Sequence, residues 1–417
     1  MARTLDVQCC IAGGGPAGMM LGYLLGRAGV DTLVLEKHAD FLRDFRGDTV
    51  HPSTMQIMQE LGLLDEFLKR PHSEISRFSA EIGDRSYKVA DFNHVPCACR
   101  FIALMPQWDF LDFLLEKARR FPTLNVMMNT EVTGLTQSDN RVTGVTATSP
   151  EGPMLVRARL VVGCDGRRST VRSAAALTVR DLSSPIDVLW FRMSKKPHDP
   201  VEVLGRLGLD KMIVTIDRGD YWQCAYVIAK GGSDRVRAAG IDSFRRAVAD
   251  GAHFLADRVQ ELHSFDDLKL LSVTVDRLAT WSRPGLLCIG DAAHAMSPVG
   301  GVGINLAIQD AVAAANLLAS KLKAGTLEDR DLDAVRRRRL FPVKVIQSVQ
   351  IAVQNRVLRP IVAGGNRSLK VPWIVKLLNN HAWLRRWPAQ FIGLGLRPER
   401  VRSPHESSPA TAAPGVA

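Results

Sequence analysis

Apolar residues fall into three kinds of run along the 417-residue chain. Residues 7–12, 30–35, 160–163 and 286–289 are short and almost unbroken, the pattern expected of parallel strands buried on both faces. Residues 17–28, 110–119 and 304–322 carry helical spacing, and the first of these ends at Gly29. Residues 186–193, 211–216 and 221–228 are rich in branched and aromatic side chains and predict the strands of a second sheet. Strand alternation puts Tyr221 and Gln223 on one face of that sheet and Trp222, Cys224 and Tyr226 on the other. Beyond residue 330 the chain reads as helices again, through the Arg336 to Arg339 run, residues 343–353, 373–378 and 383–391. In the last of these Trp383, Trp387 and Phe391 share a face, with Arg385 and Arg386 pointing elsewhere.

The first strand runs straight into Gly13-Gly14-Gly15-Pro16-Ala17-Gly18, a G-x-G-x-x-G motif placed between a strand and a helix. Glycines at those positions allow a tight turn, close approach of a pyrophosphate and close packing of helix on strand. The second strand ends at Glu36, 18 residues past the last glycine, where a carboxylate holds the ribose hydroxyls of an adenine dinucleotide. The fingerprint predicts a dinucleotide site without separating NAD from FAD.

Composition narrows the class. Apolar residues make up 46% and charged residues 23%, a globular balance, with a formal net charge of +11. Residues 331–417 hold 15 Lys/Arg against 4 Asp/Glu, so the excess lies there and residues 1–330 are balanced. No zinc-finger or RNP-like signature accompanies the charge, which sets nucleic acid aside. Seven cysteines without C-x-x-C spacing read as reduced thiols of a cytoplasmic protein, and the C-x-C pair Cys97 and Cys99 reads as structural, so no metal is expected. The opening apolar run is broken at Gly13 and does not resemble a signal peptide, and no stretch of about 18 uncharged apolar residues predicts a membrane span.

Two distal motifs decide between the cofactors. Leu160-Val161-Val162-Gly163-Cys164-Asp165-Gly166 is an apolar strand ending in Asp-Gly, and Leu286-Leu287-Cys288-Ile289-Gly290-Asp291 is another ending in Gly-Asp. Pro298, Gly300, Gly301, Gly303, Ile304 and Asn305 follow. In this order, over residues 5–325, the chain resembles the group A flavoprotein monooxygenases, the family of para-hydroxybenzoate hydroxylase and the ubiquinone-pathway hydroxylases. The resemblance implies that Glu36 and its neighbour Lys37 lie at the ribose, that Arg46 and Gln107 face the flavin, that Asp165 serves FAD and NAD(P)H binding, and that Asp291 binds the ribityl chain. The loop from Gly301 through Gly303, Ile304 and Asn305 opens a helix whose unpaired N–H groups would face a reduced flavin.

The implied fold class is α/β: a Rossmann-type FAD-binding domain (1–70, 100–175 and 280–330) with an inserted β-sheet substrate domain (71–99 and 176–279), a C-terminal helical segment (331–402) and a mobile tail (403–417). The implied activity is FAD-dependent, NAD(P)H-consuming hydroxylation of a small aromatic substrate by dioxygen through a flavin hydroperoxide. Pro298, Tyr221, Gln223, Trp222 and Tyr226 are the pocket candidates, and no catalytic base is assigned. His51 and His294 are read as orienting the flavin loops rather than as bases. Two alternatives stay open on the same fold: a reductase of isoprenoid double bonds and a non-catalytic lipid carrier. The chain is too short for the thioredoxin-like domain that relatives acting on large polyketides carry. The tryptophan stripe is read as packing over the two domains, with interfacial membrane contact as the alternative. The oligomeric state is left as monomer or homodimer.

Overall fold

The computed structural model describes residues 3–42, 49–83, 85–200, 205–208, 211–363 and 371–406. Its first sheet is built on Arg3–Ala12, which pairs in parallel with Thr32–Leu35 on one side and Gly152–Gly163 on the other. Leu124–Met127 and Leu286–Cys288 extend the parallel set at its two ends. The strand–helix–strand unit predicted for residues 7–35 is present, its helix spanning Pro16–Arg27 and stopped by Gly29 at φ +72°. Gly152–Gly163 is three times longer than its apolar signal. Its first half alternates buried and exposed residues because it also pairs antiparallel with Arg141–Ser149, and only its last four residues are buried throughout.

The second sheet has seven strands, in the order Lys269–Leu271, Ile186–Ser194, Tyr221–Ala229, Met212–Asp217, Gly205–Leu207, Arg77–Ile82 and Arg85–Asp91. One face packs on the helix Ile241–Gly251 and the 3-10 segment that follows, through Phe191, Trp222, Cys224, Ile228, Phe244 and Leu255. The opposite face, with Val188, Ala225 and Val227, looks toward Ile351, Leu358 and Val299. It therefore faces the loop that carries Pro298.

The helix Gly303–Ala324 runs through the middle of the molecule, against Pro16–Arg27 and the long helix Asp329–Val353. It is long and apolar enough to cross a membrane, yet 83% of its apolar window is buried inside the protein, which is how a core helix earns the same pattern. The Arg336 to Arg339 run and the apolar residues 343–353 belong to one 25-residue helix, Asp329–Val353, with Pro342 inside it.

Two expectations change. The tail is not loose from residue 403: the Arg27 guanidinium donates to the Ser403 carbonyl at 3.1 Å, Glu406 N–H donates to the Arg27 carbonyl, and Glu406 pairs with Lys323 at 2.7 Å. Residues 407–417 lie outside the described residues. The tryptophan stripe is not packed either. Trp383 and Trp387 are 61% and 58% exposed, while Ala389, Phe391 and Ile392 turn inward from the helix Arg386–Gly393.

Candidate functional site

The glycine loop separates what the chain needs from what a ligand needs. Gly13 sits at φ +100°, and a Cβ there would lie 2.6 Å from the Cys164 carbonyl oxygen. A Cβ on Gly18 would lie 1.9 Å from the Gly13 carbonyl oxygen, so the first and third glycines are required by the turn and by helix packing. A Cβ on Gly15 would meet nothing within 4 Å. That open space lies at the start of the helix Pro16–Arg27, whose first turn has Pro16 but no acidic residue and no side-chain cap. The N–H groups of Ala17 and Gly18 and the positive helix end are left for an anion. Glu36, nearly buried, braces this loop: Oε2 accepts the Gly14 N–H at 2.8 Å and Oε1 accepts the His38 N–H at 3.1 Å. Lys37 points outward, 3.9 Å from Glu131 across the surface.

Asp165 follows the strand Gly152–Gly163. Its Oδ2 accepts the Val171 N–H at 3.0 Å, while Oδ1 is buried with no hydrogen-bond partner among the described residues. Burial pushes this carboxyl above the ordinary carboxylate range. A half-satisfied buried carboxylate at the C-terminal end of a parallel strand is where an open α/β sheet meets a ligand's hydroxyl or N–H groups. Asp291 lies in the 3-10 turn Gly290–Ala292, half-buried, with no hydrogen bond or ion pair among the described residues. Gln107 starts the helix Gln107–Ala118 and is likewise half-buried. These open groups fit a polyhydroxylated dinucleotide. Arg46 lies outside the described residues.

A framework that sequence reasoning did not assemble holds these motifs in place. Asp310, fully buried, accepts the Gly290 N–H at 3.1 Å and pairs with His294 Nε2 at 2.5 Å through Oδ2, while its Oδ1 accepts Arg339 Nε at 2.9 Å. Burial alone would raise the Asp310 carboxyl, but His294 and Arg339 outweigh it and hold it below its ordinary value. Arg172, on the turn after Asp165, makes a bidentate pair with Asp276 at 3.2 and 3.3 Å. Asp276 also accepts the Ala295 N–H at 3.2 Å, which ties the Asp-Gly motif to the segment after the Gly-Asp motif.

The segment before Pro298 is clamped by a ladder of buried glutamines on the helix Asp329–Val353 and the turn after it. Gln347 donates to the carbonyls of Asp276 and Ala295, Gln350 donates to those of Ser297 and Val299 and accepts from Ser297 N–H, and Gln354 donates to the hydroxyls of Ser184 and Ser297. The loop then turns at Gly300 and Gly301, at φ +81° and +62°. Gly301 lies so close to Thr49 that a Cβ would sit 2.3 Å from its hydroxyl oxygen. The Asn305 side chain uses both lone pairs and both N–H groups inside the protein: Oδ1 accepts from His51 N–H and the Thr54 hydroxyl, and Nδ2 donates to the carbonyls of Thr49 and Gly301. Asn305 therefore positions the loop with its side chain, which leaves the N–H groups of Gly303 and Ile304, at the start of the helix, to face a ligand. Pro298 is half-buried at the head of the loop.

Both candidate histidines are taken up by framework contacts. His51 Nδ1–H donates to the Ile392 carbonyl at 2.8 Å, and burial pushes the imidazole down to about 4, so the ring is neutral at pH 7. His294 is buried between Asp310 and the Trp281 ring, whose centroid is 5.0 Å away.

The pocket candidates separate by face. Trp222 Nε1 donates to Asp199 at 2.7 Å and the ring meets Phe254 edge-on, while Tyr226 meets Phe244 in the same way. Both sit on the helix-backed face, and as pocket residues they are corrected: they are core. Gln223 and Tyr221 are on the other face. The Gln223 carbonyl accepts Arg218 Nε at 3.1 Å, and Arg192 lies over the Tyr221 ring.

Residues 6–349 match a family described as FAD binding domain. Among curated proteins, the chain is 32% identical over 414 residues to 6-methylpretetramide 4-monooxygenase of Streptomyces rimosus, covering 98% of each. It is 30% identical over 310 residues to rifampicin monooxygenase of Streptomyces venezuelae, 72% of this chain and 61% of that longer protein. In structure it is similar to p-nitrophenol 4-monooxygenase PnpA of Pseudomonas putida, with a TM-score of 0.78 at 22% identity, covering 95% of this chain and 99% of that one.

Proposed function

The chain belongs to the FAD-binding-domain family of flavin-dependent monooxygenases, and we propose that its substrate is a polycyclic phenol of the aromatic polyketide kind, hydroxylated at the expense of a reduced nicotinamide. The observation that carries this reading is the similarity to 6-methylpretetramide 4-monooxygenase, which runs through the C-terminal helices as well as the FAD-binding motifs. NADH or NADPH is the proposed reductant.

When bound, FAD supplies the activation of dioxygen, so that one oxygen atom enters an aromatic C–H bond and the other leaves as water. The remaining work falls to this chain's residues. The Gly13–Gly18 loop and the helix behind it would hold the pyrophosphate, Glu36 the adenosine ribose and Asp291 the ribityl hydroxyls. Asp165 Oδ1, buried and without a partner among the described residues, would be the acceptor open to the cofactor. The N–H groups opening the helix Gly303–Ala324 would stabilise negative charge on the isoalloxazine ring. Pro298 and the Gln223 face of the second sheet enclose the aromatic ring and exclude water. The glutamine ladder and Asn305 keep the loop between them in one conformation.

The expected result is that purified protein carries FAD and oxidises NAD(P)H when 6-methylpretetramide or a simpler phenol is added, only when dioxygen is present. Flavin-free protein, or oxidation that no phenol stimulates, would overturn the reading.

A further inference from the structure

Three of the seven tryptophans, Trp373, Trp383 and Trp387, stand 74%, 61% and 58% exposed, all on the last two helical segments. Trp373, Ile374 and Leu377 form one outward stripe of the helix Trp373–Asn380, which has no buried residue at all. Trp383 and Trp387 stand beside a shallow open groove shared with His94, Arg386 and Gln390. Arg385 donates to the carbonyls of Leu378 and Asn379, which ties the two segments together, and both rest on the edge strand Arg85–Asp91. Large exposed aromatics grouped in this way mark a surface that meets something apolar.

The charge around them says what. Between Asp333 and Glu399 the chain has no acidic residue and carries 13 Lys/Arg: Arg336 to Arg339, Lys344, Arg356, Arg359, Arg367, Lys370, Lys376, Arg385, Arg386 and Arg397. Lys376 and Arg386 are exposed beside the tryptophans, with the Arg386 guanidinium over the Trp387 ring, and Arg85 and Lys88 are exposed on the supporting strand. The carboxylate of Asp91 on that strand is engaged by Asn93 and Arg77. A second copy offering the same patch would set cations against cations. Tryptophan rings with flanking Lys and Arg instead match the headgroup layer of an anionic bilayer, where the indole sits at the interface and the cations meet phosphate.

We propose that this face docks the protein on anionic lipid surfaces, lying on the interface without spanning it. The proposal is independent of the hydroxylase reading, since it uses no residue of the FAD site. The test is co-sedimentation of the full FAD-loaded chain with phosphatidylglycerol–phosphatidylcholine vesicles and with phosphatidylcholine vesicles, at about 0.1 M and about 0.5 M salt. Binding is expected only to the anionic vesicles, and weaker at high salt. Each cation is worth about fivefold in binding, so Lys376→Ala with Arg386→Ala lowers the partition by roughly 25-fold. Trp373→Ala with Trp383→Ala and Trp387→Ala lowers it at least about tenfold. Neither set changes flavin content or Tm. The proposal fails if the wild type ignores anionic vesicles. It fails equally if both sets of variants bind as the wild type does, or if light scattering shows a dimer that the tryptophan variants dissociate.

Discussion

Asp310→Asn isolates the framework beneath the Gly-Asp motif. The substitution keeps volume and removes one charge from a group with no exposure, so Arg339, also fully buried, is left among the described residues with only Glu399, at 3.4 Å, as counterion. Removing one partner of a buried ion pair costs about 3–5 kcal/mol. At roughly 2 cal/mol/K per residue, a chain of this length has an unfolding entropy near 0.9 kcal/mol/K, so Tm should fall by about 3–6 °C. Because Asp310 also accepts the Gly290 N–H beside Asp291, FAD should bind about tenfold more weakly or worse. The sign of the pH dependence follows from the depressed Asp310 carboxyl: its contribution is complete above the unfolded value near 4 and is lost as pH falls through the lower folded value. The stability gap between wild type and variant should therefore be flat from pH 6 to 8 and close only in strong acid. Thermal unfolding with and without FAD, together with flavin titration, measures all three. A Tm within about 1 °C of wild type and unaltered FAD affinity would refute the framework role.

Gly15→Ala should fold with wild-type circular dichroism yet retain little flavin, whereas Gly18→Ala should also lose stability; equal flavin content in wild type and Gly15→Ala would place the pyrophosphate elsewhere. Asp291→Ala should lose most of its flavin on gel filtration, and undiminished content would remove the aspartate from the site. His51 is held neutral with a folded value of about 4 against about 6.5 unfolded, so its contribution is complete above pH 6.5 and is lost as pH falls toward 4. Taking the pH from 7.5 to 5 should therefore cost about 2 kcal/mol that His51→Gln does not lose, measured as the difference in urea midpoints. Gln350→Leu strips the loop carbonyls of Ser297 and Val299 of their donor and should reduce turnover with phenol while leaving the fold cooperative; unchanged kcat and KM would show that the ladder is only scaffolding.

What was legible in the sequence was local. The glycine loop, Glu36 and the two Asp/Gly motifs stand within a few residues of the strands that present them, so spacing alone places them on strand ends. The partners of those motifs are far away in sequence. Arg339 belongs to a basic run whose spacing names no partner, yet helical geometry turns this one arginine inward to meet Asp310, 29 residues earlier. The glutamines at 347, 350 and 354 recur on one helix face, but nothing in their spacing names the loop they clamp. Strand alternation separated Tyr221 and Gln223 from Trp222 and Tyr226, and the face that looks inward was settled by the helix Ile241–Gly251 covering the other. The tryptophan stripe has the period of a packed helix, and only its neighbours show that nothing among the described residues covers it.

The central claim is that this chain places one atom of dioxygen on an aromatic ring. Mass spectrometry of the product formed from 6-methylpretetramide, NAD(P)H and ¹⁸O₂ by the FAD-loaded protein tests it directly. The expected product is heavier by one ¹⁸O atom and forms only with dioxygen. A product that gains hydrogen under anaerobic conditions, or one whose new oxygen comes from water, would contradict it.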